Sequence, residues 1–193
     1  MKVSLTDCTP NAAQTIGGQA AICYDGKTDD ESNIKRAMHC KTKGHLAVLR
    51  FAYATFNIEG ISRVCSHQIV RVAHAGILQE SQRYVEQSRI EWVFPSSVYG
   101  APGRFLEKWA AYHEQGRELY KEAIALGMKK EDARYCLPQS CTTQLNICMN
   151  FQGWTDFLKN RTSKTAQWEV RDVAVEIQRQ LYMVASEIFD KPA

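Results

Sequence analysis

Ser66-His67-Gln68-Ile69-Val70-Arg71-Val72-Ala73-His74-Ala75-Gly76-Ile77-Leu78-Gln79-Glu80-Ser81-Gln82-Arg83-Tyr84-Val85 packs more polar recognition chemistry into one stretch than any other part of the chain. His67, Gln68 and Arg71 lie one helical turn apart, and the segment closes on Gln79, Glu80, Ser81, Gln82, Arg83 and Tyr84. Guanidinium is a planar, permanently charged fork, so Arg71 and Arg83 flanking amide, carboxylate and hydroxyl groups suit a phosphate together with a sugar or a base edge. A solvated helix end and turn is the plainer reading of the same composition.

Working outward, 193 residues with 45% apolar content can build one core, so a single domain over residues 1–193 is the expectation. The formal charge of +3 is dispersed, without the basic blocks of a nucleic-acid face, and a small anionic ligand accounts for it. Met1–Pro10 does not read as a signal peptide, and the best apolar run, Leu46 to Phe56, is broken by Arg50. These features predict a soluble, cytoplasmic protein with no membrane partner, located in the host cytoplasm if the gene belongs to a phage. The 7 cysteines form no C-x-x-C pair and are odd in number, which predicts reduced thiols; Cys40 with His39 or His45 lacks the second ligand pair of a zinc site.

Periodicity gives an α+β pattern. Lys2 to Thr6 reads as a strand, and a helix follows from Pro10 to Tyr24, weakened in its middle by Gly17-Gly18. Thr28-Asp29-Asp30-Glu31 is a capping-box pattern opening a helix to Lys41. Leu46 to Ile58 reads as a strand, Ile61 to Val72 as a helix and Ile90 to Phe94 as a short strand. A long amphipathic helix from Pro102 to Leu126 carries Phe105, Trp109, Tyr112, Leu119 and Ile124, a stripe read as core. Thr142 to Met149 alternates like a strand, and a last helix runs from Thr165 to Phe189.

The opening stretch resembles the signature segment of the flavin-dependent thymidylate synthases, which is preceded by Ser-His-Gln, contains Arg-His-Arg, then Ser, and closes on Gln-Ser-Gln-Arg-Tyr. Both flanks match. The triplet reads Arg71-Val72-Ala73, and the following serine position is Gly76. Further matches follow in order. Gly44-His45 resembles the family's Gly-His, whose histidine lies against the flavin. Ala133-Arg134, followed by Leu137-Pro138, resembles an Ala-Arg-x-x-Leu-Pro whose arginine binds the nucleotide. Asn150-Phe151-Gln152 stands where the family has Asn-Ala-Arg, and Asp156 occupies a further flavin-contact position. Phe157 to Arg161, followed by Ala166-Gln167-Trp168-Glu169, resembles a pair of motifs whose arginine activates the uracil ring.

The resemblance implies a single-domain α+β fold with a mixed sheet and long amphipathic helices, assembled as a homotetramer whose active sites mix chains. It casts Arg161 as the catalytic residue. Gln68, Arg71, Gln79, Glu80, Ser81, Gln82, Arg83, Arg134 and Arg161 become the nucleotide-binding set, and His45, Arg71, Gln79, Asn150, Gln152 and Asp156 the cofactor-binding set. It implies FAD, methylenetetrahydrofolate and NADPH, with dUMP converted to dTMP. Val72, Ala73, Gly76 and Ala47 depart from the family pattern, and Arg50 falls near a usual acidic position; at about 1 kcal/mol per lost contact, these changes would cost several kcal/mol, enough to turn tight flavin binding into weak binding. His74, one residue past the triplet, is a candidate replacement imidazole. The alternatives on the same fold are a C5 hydroxymethylase of dUMP or dCMP, using methylenetetrahydrofolate with little flavin redox chemistry, and a nucleotide-binding protein without turnover.

Overall fold

The computed structural model describes residues 1–23 and 26–192. In chain order the elements are β1 (Lys2–Cys8), α1 (Ala12–Ala21), α2 (Asp30–Thr42), a 3-10 helix (Leu46–Phe51), β2 (Tyr53–Ser62), α3 (Arg63–Ile69), β3 (Gly76–Gln79), α4 (Ser96–Tyr99), α5 (Gly103–Ala125), α6 (Lys130–Ala133), a second 3-10 turn (Arg134–Cys136), β4 (Thr142–Asn150), α7 (Phe151–Arg161) and α8 (Trp168–Val184). The expected α+β class holds. The sheet has the order β1-β2-β4-β3, and its pairing is antiparallel, which corrects the expected mixed sheet. Bonds from Thr9 N to Tyr53 O at 3.0 Å and from Phe151 N to Ala52 O at 2.8 Å fix the register of its neighbours. Alternate residues of β2 (Ala54, Phe56, Ile58) and of β4 (Leu145, Ile147, Met149) are buried, the period-2 pattern of strands with one face against a core.

The chain divides into two compact units, Met1–Ile58 with Ile69–Leu78 and Asn146–Ala193, and Glu59–Gln68 with Gln79–Leu145. In the first, α8 buries Val170, Val173, Ala174, Ile177 and Leu181, residues three, four and seven apart that form one helix face. Trp154 of α7 is fully buried; its indole N–H donates to Ala54 O at 3.0 Å and its ring meets Phe56 edge-on at 5.0 Å. A buried indole needs such a partner, because an unmet N–H in a core is costly. Gly17 is a contact point between α1 and α2: a Cβ there would stand 1.8 Å from the backbone oxygen of Asn33. In the second unit, the hydroxyl of Tyr120 accepts from Gln87 N at 3.1 Å, and His113 is enclosed by Trp92, Phe94, Trp109 and Tyr112.

Several expectations are corrected. Leu46 to Phe51 forms a 3-10 helix, and the strand begins only at Tyr53. Ile61 and Ser62 belong to β2, and α3 stops at Ile69. Around Ile90 to Phe94 there is one bridge, Trp92 to Cys141, in place of a strand. The second helix is capped by Asp29, whose carboxylate accepts from Ser32 N at 3.0 Å, one residue later than the capping-box pattern places it. The last helix is shorter than expected at both ends. The Tyr24 end of the first helix lies outside the described residues.

The stripe on α5 is the largest correction. Phe105, Tyr112 and Leu119 are exposed, and the buried residues of that helix are His113, Gly116 and Tyr120. Gly116 sits at this buried face because a Cβ would meet Pro138 and Cys136 O at 3.0 and 3.1 Å.

Candidate active site

In the first unit a polar cavity of about 800 Å³ gathers residues far apart in sequence: Arg50, Arg71 to His74, Asn150, Gln152, Asp156, Asn160 and Arg161. Local structure explains each placement. Arg50 follows Leu49, which is 1% exposed and anchors the 3-10 helix. The bond from Phe151 N to Ala52 O ties the chain just after that helix to the start of α7. Asn150 caps α7, its side-chain oxygen accepting from Gly153 N at 2.9 Å, so the amide NH2 of Asn150 is not used by the cap. Arg161 is the last residue of α7, where a cation complements the helix dipole. His74 has φ 62°, in the left-handed region, which turns the chain sharply between Arg71 and β3.

The donor set fits a polyanionic, aromatic cofactor. Arg50, Arg71 and Arg161 line the cavity, with Asp156 as the acidic residue among the described lining, and Asp156 already accepts from Gln152 Nε2 at 3.0 Å. The other amide atom, Gln152 Oε1, is buried without a hydrogen-bond partner at the cavity wall. Such an orphan acceptor is costly unless a ligand donor or water meets it, and a flavin ring carries N–H donors. Asn150, Gln152, Asp156 and Arg71 would hold such a cofactor.

The signature loop lies in the second unit, where its side chains are held by neighbours. Gln79 Nε2 donates to Ser66 Oγ at 2.9 Å and to Thr143 Oγ1 at 3.2 Å. The carboxylate of Glu80 accepts from Gln144 Nε2 at 3.0 Å and Gln87 Nε2 at 3.3 Å. Ser81 Oγ accepts from Arg83 N at 3.2 Å. Gln82 is buried, its amide directed at Cys141 Sγ, so its side chain serves the core. Arg83 Nε meets Glu131 Oε2 at 2.6 Å, and Arg134 Nε donates to Glu131 O at 3.0 Å. The Arg83 guanidinium holds the Glu131 carboxyl below its ordinary range. Gln68 sits in α3 of this unit.

The sequence-predicted cofactor set is thus partly assembled. Arg71, Asn150, Gln152 and Asp156 share the large cavity with Arg161. His45 lines a smaller one of about 440 Å³ with Cys23 and Cys40, and Gln79 belongs to the other unit. Two residues stand outside the predicted site sets. By sequence Arg50 interrupts an apolar run and falls near a position the family keeps acidic, and the 3-10 turn brings it to the cavity. Arg63 was an ordinary helix start; its guanidinium donates to Glu80 O at 2.9 Å beneath the loop, its Nε is buried without a partner, and burial lowers its pKa. No sequence signal marks Arg63. Among the described residues, no group of His, Cys, Asp and Glu is arranged to hold a metal ion, and no helix is long and apolar enough to cross a membrane.

The cavity joins three arginines to the amides of Asn150, Gln152 and Asn160 along α7, a donor set that suits an anionic ligand, and comparison with known proteins supplies the class. Residues 4–186 match the Thy1 family model, the thymidylate synthase complementing protein. The chain belongs to this family. It is similar to a protein named flavin-dependent thymidylate synthase from Pyrococcus furiosus, with 36% identity across 90% of this chain and 76% of the relative. Relatives of the same name occur in Geobacter sulfurreducens, 34% identical, and Clostridium tetani, 29% identical, each with 98% of this chain and 85% of the relative covered.

Proposed function

We propose that this chain is a flavin-dependent thymidylate synthase that methylates dUMP at C5 to give dTMP, with FAD as cofactor, methylenetetrahydrofolate as carbon donor and NADPH as reductant. The observation that carries this reading is the cavity that gathers Arg71, Asn150, Gln152, Asp156 and Arg161 in a chain of this family. Nothing in the relatives' names or in the cavity favours the hydroxymethylase alternative.

The chemistry follows from the ring. Uracil C5 becomes nucleophilic only as electron density moves through the ring, which places negative charge on the N3 and O4 side. Arg161 is the group we assign to that charge. A cation fixed beforehand stabilises developing charge with little reorganisation, an effect on the order of 3 kcal/mol for one donor. Arg71, Arg83 and Arg134 are the candidate holders of phosphate and sugar, with Gln68, Gln79, Glu80 and Ser81 and the loop's backbone amides assisting. His45, Asn150, Gln152 and Asp156 are the candidates for orienting the flavin, which supplies the hydride chemistry that no side chain can perform. The Thy1 match runs through both compact units, and this supports one functional domain over residues 1–193. Homotetrameric assembly completes the proposal.

Two measurements test it. The visible spectrum of protein mixed with FAD and freed of excess should retain a flavin band, and the loaded protein given dUMP, methylenetetrahydrofolate and NADPH should form dTMP. Arg161→Ala should lower kcat about a hundredfold or more. A colourless protein that forms no dTMP sinks the reading, and an Arg161→Ala variant of unchanged kcat sinks the role given to Arg161.

A further inference from the structure

The cavity of the first unit contains a pair of cations that nothing in the protein occupies. Among the described residues, neither the Arg50 nor the Arg71 guanidinium has a hydrogen-bond or ion-pair partner. Both line the same cavity, from positions on the 3-10 helix and just beyond α3. Asp156, the acidic residue of the lining, is already engaged by Gln152. An isolated exposed arginine is usually a solvated surface charge. Two unpaired arginines opening onto one concave polar space differ from that case, because an anion bound there meets both charges at once.

We propose that Arg50 and Arg71 together grip a phosphoryl group in this cavity, with Arg50 as a binding residue supplied by this chain's own 3-10 helix. Guanidinium forks match phosphate oxygens two at a time, and a phosphate ester has oxygens for both forks, whereas a carboxylate's two oxygens are taken up by one. The group comes either from the diphosphate of the dinucleotide cofactor or from the monophosphate of the pyrimidine nucleotide. This inference rests on the reading above for the identity of those ligands, and on the cavity alone for the anion. Arg50 also shifts the local charge towards positive at the rim formed by Val72 and Ala73, neither of which can bind phosphate through its side chain.

The test is a set of equilibrium titrations on the full chain, followed by flavin fluorescence and calorimetry. The ligand pairs are FAD with riboflavin and dUMP with deoxyuridine, and inorganic pyrophosphate is a probe free of ring and sugar. Arg50→Ala should weaken the phosphate-bearing member of one pair by about tenfold or more, since a charge-assisted hydrogen bond is worth that much, and leave its phosphate-free partner unchanged. The affected pair identifies the source of the phosphate. Arg50→Lys should recover part of the loss, because a point charge replaces the fork without its geometry. Arg104→Gln, removing an exposed arginine outside the cavity lining, controls for net charge.

Equal weakening of both members of a pair, or no weakening of either pair by Arg50→Ala, overturns the proposal. If the wild-type chain binds neither FAD nor dUMP, the thymidylate synthase reading fails, and pyrophosphate decides the rest. Pyrophosphate binding lost in Arg50→Ala keeps the two-arginine site, and absence of pyrophosphate binding to the wild type removes it.

Discussion

Arg83 and Glu131 form a 2.6 Å ion pair at the edge of the signature loop, and the arginine's hydrogen bond draws the glutamate's pKa down. Because the folded pKa lies below the unfolded one, the pair's contribution to stability is present above the ordinary glutamate range near 4.5 and is lost as pH falls through the depressed value. Both groups are at the surface, so the effect is a local one. An NMR titration should give Glu131 a midpoint below 4.5, and Arg83→Gln should return it towards that value. An unchanged midpoint in the variant would show that Arg83 is not the cause. The same pair bears on binding, since Glu131 engages the Nε edge of Arg83 and leaves the terminal N–H groups as the donors for a phosphate. The identities of these residues were legible in the sequence, and their present partner was not, because Glu131 lies 48 positions away.

At the scale of elements, the contact between α1 and α2 depends on one missing side chain. Gly17 brings the α2 backbone so close that a methyl group at its Cα would overlap Asn33 O, and Arg36 of α2 donates across the seam to Gly17 O at 2.9 Å and within its own helix to Asn33 Oδ1 at 2.7 Å. Gly17→Ala must push the helices apart and should cost about 1–3 kcal/mol or more in denaturant unfolding. Gly18→Ala meets only an ordinary contact at 3.5 Å and should be neutral or stabilising by up to about 1 kcal/mol through helix propensity. Equal losses at both positions would refute the steric account. Sequence alone presents Gly17-Gly18 as two weak points in a helix, whereas the packing makes one of them indispensable and leaves the other free. The 3-10 helix at Leu46–Phe51 illustrates the same limit: its apolar residues read as strand, whereas the turn buries Leu49 and leaves Phe51 exposed.

At the scale of the whole molecule, α5 presents Phe105, Tyr112 and Leu119 to solvent at intervals of seven, while His113, Gly116 and Tyr120 take the buried face. A seven-residue repeat keeps these side chains on one side of the helix, as a partner surface requires. With the homotetramer proposed above, sedimentation should give four chains for the wild type, and Leu119→Glu or Tyr112→Glu should give smaller species with the monomer's helical content intact. A wild-type monomer would dismiss the assembly, and an unaltered tetramer in both variants would dismiss this face. The sequence by itself determined the family, through motifs that occur in order from Gly44-His45 to Gln167-Trp168-Glu169, and it determined most helices, because amphipathic period and capping act within a few residues of each other. Only the tertiary structure decided that Arg50, Arg71 and Arg161 would line one cavity, that Gln82 would turn into the core, and which face of α5 would be buried. The physical reason is the range of the forces involved: backbone propensity is local, whereas burial and the convergence of charges depend on which distant elements an antiparallel sheet lays side by side.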